Sequence, residues 1–210
     1  MGTVVIPFAI DLKQAQTVFG SKDETLHAEI LQSKAFEKYD EKFSFKRELK
    51  ELIFDYVPEN KRTIVPSKLF GLIKGNDGRG LSGEWNDYGY SLLCICDKLG
   101  KCLSENEGIW KYNGLTEQLN KSLEENESKL TFERVIQYKK IFDTPFDEED
   151  ICTNYFSREE VKYLLDKLTA IKAKSVTADI DFLRLLDRMI RGFTYCNKHN
   201  YDWVSFSYEI

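Results

Sequence analysis

Apolar residues recur along this chain of 210 residues in two rhythms, and the change from one to the other predicts an α+β, helix-rich fold. Thr3 to Ile10 is apolar and β-branched with Pro7 inside, which predicts a strand near a sheet edge or bulged at the proline. At the other end, Trp203 to Ile210 alternates through Val204, Phe206 and Tyr208 and predicts a second strand. Both strands need hydrogen-bonding partners. Pairing with each other, or within one small sheet that holds both termini, would supply them.

Between the strands the rhythm is helical. Asp11 caps a short helix from Leu12 to Phe19 that Gly20 stops, and Ser21 with Glu24 forms a capping box opening a helix to about Lys34. Phe45, Leu49, Leu52, Ile53 and Tyr56 share one stripe, with Lys46, Arg47, Glu48, Lys50 and Glu51 expected to face outward. A short helix over Ser67 to Ile73 leads into a glycine-rich stretch. Tyr88, Leu92, Ile95, Cys96 and Leu99 then predict the most buried helix, ended by Gly100 as a left-handed cap. Leu115, Leu119 and Leu123 mark another helix, while Thr131 to Phe142 reads as a helical turn and then a strand. Ser157 and Glu160 form a second capping box ahead of Val161, Leu164, Leu165, Leu168 and Ile171, a helix to about Ala173. The last helix, Asp179 to about Asn197, is expected to turn Ile180, Leu183, Leu186, Ile190 and Phe193 inward.

One domain over residues 1–210 is expected, since the length and a hydrophobic content of 42% suffice for a sizeable core. The formal net charge of -5 argues against nucleic acid and anionic membrane as partners, because both need concentrated positive charge. No apolar run approaches the roughly 18 residues of a membrane span, and no signal peptide is evident, so the expected location is cytoplasmic. Five cysteines form no regular framework and are expected to be reduced. Cys94 and Cys96 lie two apart in a helix and point to opposite sides, and the chain has only His27 and His199 besides. No metal site is expected.

Six glycines (Gly71, Gly75, Gly78, Gly80, Gly83 and Gly89) fall among Trp85, Tyr88 and Tyr90, which predicts a shaped aromatic loop from Gly75 to Tyr90. Gly78, Gly80 and Gly83 spell G-x-G-x-x-G, but a predicted helix precedes them and Glu84 and Asp87 follow, an arrangement that would repel a pyrophosphate. No cofactor is expected. Glu84 and Asp87 are a candidate acid-base pair beside aromatic walls, but the stronger reading is of helix-start acids favoured by the dipole, beside aromatics that belong to the core. Asp147 to Asp150 lacks the glycine and alternating oxygens of a calcium loop, and neither histidine has local support for a nucleophilic triad. Arg184, Arg188 and Arg191 line the last helix opposite its apolar stripe, with Lys198 beyond. They read as a solvated face, helped by Asp187 pairing with Arg191, or as a surface for an acidic partner.

Several stretches together carry a resemblance: I-P-F-A-I-D-L from Ile6 followed by G-S-K-D-E, Y-G-Y-S-L-L from Tyr88 with L-G-K-C-L, S-R-E-E-V from Ser157, and W-V-S-F-S-Y from Trp203. The chain resembles an uncharacterised bacterial family of cytoplasmic proteins of similar length, known as a domain of unknown function. The resemblance implies a bacterial, soluble, single-domain protein and carries no catalytic residues. Two readings follow. The preferred one is a noncatalytic intracellular protein-binding domain, in concrete form an immunity-type or antitoxin-type inhibitor, that contacts an unidentified protein partner through Glu84, Trp85, Asp87, Tyr88 and Tyr90. The alternative is a small-molecule hydrolase using the carboxylate pair Glu84 and Asp87 near the glycine-rich loop.

Overall fold

Strands from the two ends of the chain form the centre of the fold. In the computed structural model, which describes residues 3–56, 82–103, 108–110, 115–130, 151–175 and 179–209, β1 (Thr3–Ile10) pairs antiparallel with β5 (Asp202–Glu209). The register runs unbroken from Thr3 opposite Glu209 to Ile10 opposite Asp202. On the far side of β5 lies β4 (Cys152–Phe156), whereas β2 (Lys101–Cys102) and β3 (Gly108–Trp110) share the other side of β1. All these pairings are antiparallel.

The expected edge position or bulge at Pro7 gives way to a different solution. β1 is interior and unbulged. The Pro7 carbonyl accepts from the Leu103 backbone N–H at 2.9 Å, so the proline nitrogen faces that same side. There β2 pairs only with Phe8 and Ala9, and β3 only with Thr3, Val4 and Val5. Among the described residues, neither β2 nor β3 pairs with Pro7, so the missing donor costs neither of these two ladders a bond.

Strand alternation sends successive side chains to opposite faces of the sheet. Ile6, Phe8, Ile10, Val204 and Phe206 join a core built from α1 (Leu12–Val18), α2 (Glu24–Leu31), α3 (Lys34–Phe43), α4 (Lys46–Lys50) and α5 (Ser82–Leu99). Ala9, Phe156 and Trp203 join a second core built from α6 (Leu115–Glu125), α7 (Arg158–Lys174) and α8 (Ile180–His199). The sheet thus separates two helical layers. One carboxylate joins them: Asp202 accepts from the Leu12 N–H at 3.0 Å and from the Arg158 N–H at 3.1 Å, capping a helix start in each layer. The Arg158 guanidinium meets the Asp11 carboxylate at 2.7 Å beside it. Burial alone would raise the Asp11 pKa, but Arg158 and the backbone N–H groups of Gln14 and Lys13 together hold it below the usual value.

Asp11 caps α1 and the Ser157 capping box opens α7, both as the sequence predicts. Other expectations need correction. Ser21 does not cap α2; Asp23 does, accepting from Leu26 N–H at 2.9 Å, while the Ser21 hydroxyl, two residues earlier, accepts from Asp23 N–H. Helix α2 ends at Leu31, and Ser33 caps α3, a highly charged helix that buries Phe36 and Tyr39. Gly100 is not left-handed, because among the described residues Gly20 is the glycine with positive φ. A Cβ at Gly100 would stand 2.7 Å from the Ala9 carbonyl oxygen, so glycine is needed for close approach to β1. In α8 the inward face is Phe182, Leu185, Leu186, Met189, Phe193 and Cys196, and Ile180 is 63% exposed. Ile180 lies two residues from Phe182, about 200° around the helix, so the denser stripe excludes it. The segments expected over Ser67–Ile73 and Thr131–Phe142 lie outside the described residues.

Candidate functional site

The residues Gly89 to Cys96 of α5 are buried without interruption, so this helix is enclosed on all sides along its middle. Its thiols are consequently inert: burial first, then nearby carboxylates, pushes Cys94 and Cys96 well above the ordinary thiol range, Cys94's charge also acting on Cys96. Tyr88, one residue before this enclosed stretch, is half-buried and polar at its tip. Its phenol donates a hydrogen bond to Oε2 of Glu51.

Glu51 opens a π-helical turn, Glu51–Asp55, that continues directly from α4. Widened turns of this kind leave carbonyls without regular partners and recur at functional sites. Here the carbonyls of Leu52 and Ile53 are taken by the backbone N–H groups of Gly20 and Lys22, each at 2.9 Å. Gly20 adopts φ +70, and a Cβ on it would lie 2.9 Å from the Tyr56 carbonyl oxygen. The loop after α1 thus seats the wide turn, and the turn sets Glu51 against α5.

Glu48 completes the cluster. It was expected to face outward, but it is 2% exposed, because it sits one helical turn before Leu52 and shares that residue's inward side. Arg47 reaches back over it, with Nη2 2.6 Å and Nε 2.7 Å from Glu48 Oε1, and Nε 3.7 Å from Glu51 Oε1. One exposed guanidinium therefore spans a buried and a half-exposed carboxylate. Burial raises the Tyr88 pKa most, followed by the hydrogen bond and charge of Glu51 and the charge of Glu48, with Arg47 opposing; the phenol stays protonated well above its ordinary range. Nearby, His27 of α2 packs edge-to-face on Phe54 at 5.3 Å, and burial together with Lys50 and Lys46 lowers its pKa.

The structure separates the residues predicted for partner contact. Glu84, Trp85 and Asp87 belong to the first turns of α5, which starts at Ser82, so the aromatic loop expected to reach Tyr90 ends earlier; its residues before Ser82 lie outside the described ones. Tyr88 and Tyr90 are two apart in a helix and diverge. Tyr88 goes to Glu51, whereas Tyr90 is a core residue 2% exposed, tilted against Tyr39 at 5.6 Å and stacked on Phe45 at 6.0 Å. Arg47, Glu48 and Glu51 were missed as site residues. The signal available was a carboxylate one turn from Leu52, on the flank of the apolar stripe.

On the other layer, a cavity of about 190 Å³ is lined by Arg158, Lys162, Asn197, Tyr201 and Cys196. The Cys196 thiol, pushed up to about 12 by burial and then by Asp202, is no nucleophile there. Asp187 pairs with Lys172 of α7 rather than with Arg191, and Arg184 pairs with Asp181 at 3.1 Å. Among the described residues no three or more His, Cys, Asp or Glu side chains are grouped to hold a metal ion, and no helix is long and apolar enough to cross a membrane.

Comparison with known proteins gives a family and no activity. No curated protein and no solved structure has significant similarity to the chain. The model of a family described as Domain of unknown function (DUF7691) matches residues 1–208, and the chain belongs to that family.

Proposed function

We propose that the protein is a noncatalytic intracellular binding domain whose contact surface for a protein partner is the N-terminal end of α5 together with the α4 turn. The observation that carries this reading is the Tyr88–Glu51 hydrogen bond, with Arg47 bridging Glu51 to the buried Glu48. It fastens the start of α5, which bears Glu84, Trp85 and Asp87, to a second element, and rigid support of this kind is what a recognition surface requires. A buried carboxylate contributes little net stability compared with an apolar residue, so its presence here fits a role in shaping that surface. The concrete form of the reading is an inhibitor of the immunity or antitoxin type.

The test is affinity capture of the tagged protein from its host, run in parallel for the wild type, Trp85→Ala and Lys121→Gln, an exposed position of α6. A partner in fixed ratio, lost with Trp85→Ala and kept with Lys121→Gln at unchanged circular dichroism, is the expected result. Equal capture by all three rejects this surface. A retained small molecule without a protein partner moves the assignment to a hydrolase that uses a carboxylate pair, for which the buried Glu48 beside Glu51 is the observation in favour.

A further inference from the structure

We infer a second interaction surface, on the outer face of α8, that docks an acidic segment of another protein. Ile180, Arg184, Arg188, Arg191 and Lys198 follow the spacing of one helical stripe, about 27 Å long at the rise of an α-helix. This stripe turns away from the buried face formed by Phe182, Leu185, Met189 and Phe193. It lies in the layer across the sheet from α5, so it is not part of the surface described above.

Three observations distinguish it from an ordinary solvated face. The chain holds 22 lysines and 8 arginines, yet three of those arginines fall within the eight residues from Arg184 to Arg191. A face that needed only solubility would be served by the lysine used elsewhere, whereas the guanidinium fork suits paired recognition of carboxylates. Two of the three charges are also uncompensated: Arg184 pairs with Asp181, but Arg188 and Arg191 are exposed and, among the described residues, make no ion pair, because Asp187 turns to Lys172. Like charges three residues apart on a helix repel, and Arg191 lies too far from the helix end for the dipole to offset this. Finally, Ile180 is the large hydrophobic side chain exposed among the described residues, and it stands at the start of the same stripe. A cationic row with one apolar contact at its end complements a segment bearing carboxylates at helical spacing and one apolar residue. Nucleic acid gains nothing from Ile180, whereas an acidic segment with one apolar residue uses both features of the stripe.

The probe is a synthetic helical peptide of about 18 residues with Glu along one face and a single Leu at its end, compared with the same peptide carrying Gln for Glu and with single-stranded oligothymidine. Fluorescence anisotropy at low ionic strength should show that the Glu peptide binds the full-length protein and the Gln peptide does not. Arg188→Glu/Arg191→Glu should weaken binding about tenfold or more, and Ile180→Ser about threefold. Should the charge reversal perturb the melting curve, Arg188→Gln/Arg191→Gln replaces it and should still weaken binding about fivefold. Binding of the Glu peptide that is unchanged in these variants, or undetectable in the wild type, overturns the inference. Oligothymidine bound as tightly as the peptide overturns it as well, and assigns the stripe to nucleic acid.

Discussion

The two helical layers bury the same sheet in different ways. The layer of α6, α7 and α8 is aliphatic with a few rings: Leu164, Leu168, Leu186, Met189 and Phe193 meet Phe156 and Trp203, with Phe193 4.7 Å from Trp203. Among the described residues its helices bury a single polar side chain, Asn120 of α6, and the Ser157 capping box sits at a helix end. The layer of α1 to α5 instead takes Glu48, Ser91 and the Tyr88–Glu51 pair into or beside its core and includes a π-helical turn. The lesson of the contrast is that the first kind of layer supplies stability, and that the second gives up some regularity to hold polar groups in place. Consistency of pattern, packing and caps marks the former, and local violation marks the latter.

This contrast can be broken first at Phe193. Replacing it by Ala should cost about 3–5 kcal/mol in chemical denaturation, because a ring fully enclosed by apolar neighbours leaves a cavity. Asp202→Asn should cost about 2 kcal/mol, since a carboxylate that caps a helix in each layer would be replaced by a group presenting a donor to one of two backbone donors. Loss confined to one layer in hydrogen exchange would contradict the joining role given to Asp202. Tyr88→Phe should cost only about 1 kcal/mol, as Glu51 remains half-exposed and regains water. Glu48→Met should leave stability unchanged or slightly raised: its partner Arg47 is 66% exposed, so no buried charge is stranded. A large loss in Glu48→Met would place Glu48 among the stabilising residues and remove the contrast.

The pH dependence sharpens the same comparison with smaller effects. The Tyr88 pKa is raised in the folded state, so above about pH 10 the unfolded chain releases a proton that the folded chain keeps, and stability falls as pH rises. Tyr88→Phe should reduce that alkaline loss. His27 is lowered, so below about pH 6.5 the unfolded chain gains a proton first and stability falls as pH drops, until the folded histidine titrates as well. His27→Gln should flatten this part of the denaturation profile.

How far the fold was legible follows the same division. Helix α7 was readable from Ser157, Glu160 and a regular apolar stripe, and the pairing of β1 with β5 followed from two apolar termini that needed partners. Pro7 misled because its tolerance depends on where β2 stops and β3 begins, which no local pattern carries. The phase of α8 was misread by starting the stripe at Ile180, when Phe182 and Met189 define a denser face. At the candidate site, Tyr88 was legible as an aromatic next to a buried helix. Glu48 was signalled only by its place one turn before Leu52, and Glu51 was not legible, since its placement depends on a wide turn sealed by Gly20 and Lys22 from another part of the chain. Tyr90 looked equivalent to Tyr88 in composition, and helical geometry separated them.

The most direct measurement is amide hydrogen exchange of the protein alone and with its captured partner bound. The account predicts new protection at residues 82–90 and 46–55, with α6 and α7 unchanged. Protection absent from residues 82–90 in a complex of fixed ratio would contradict it.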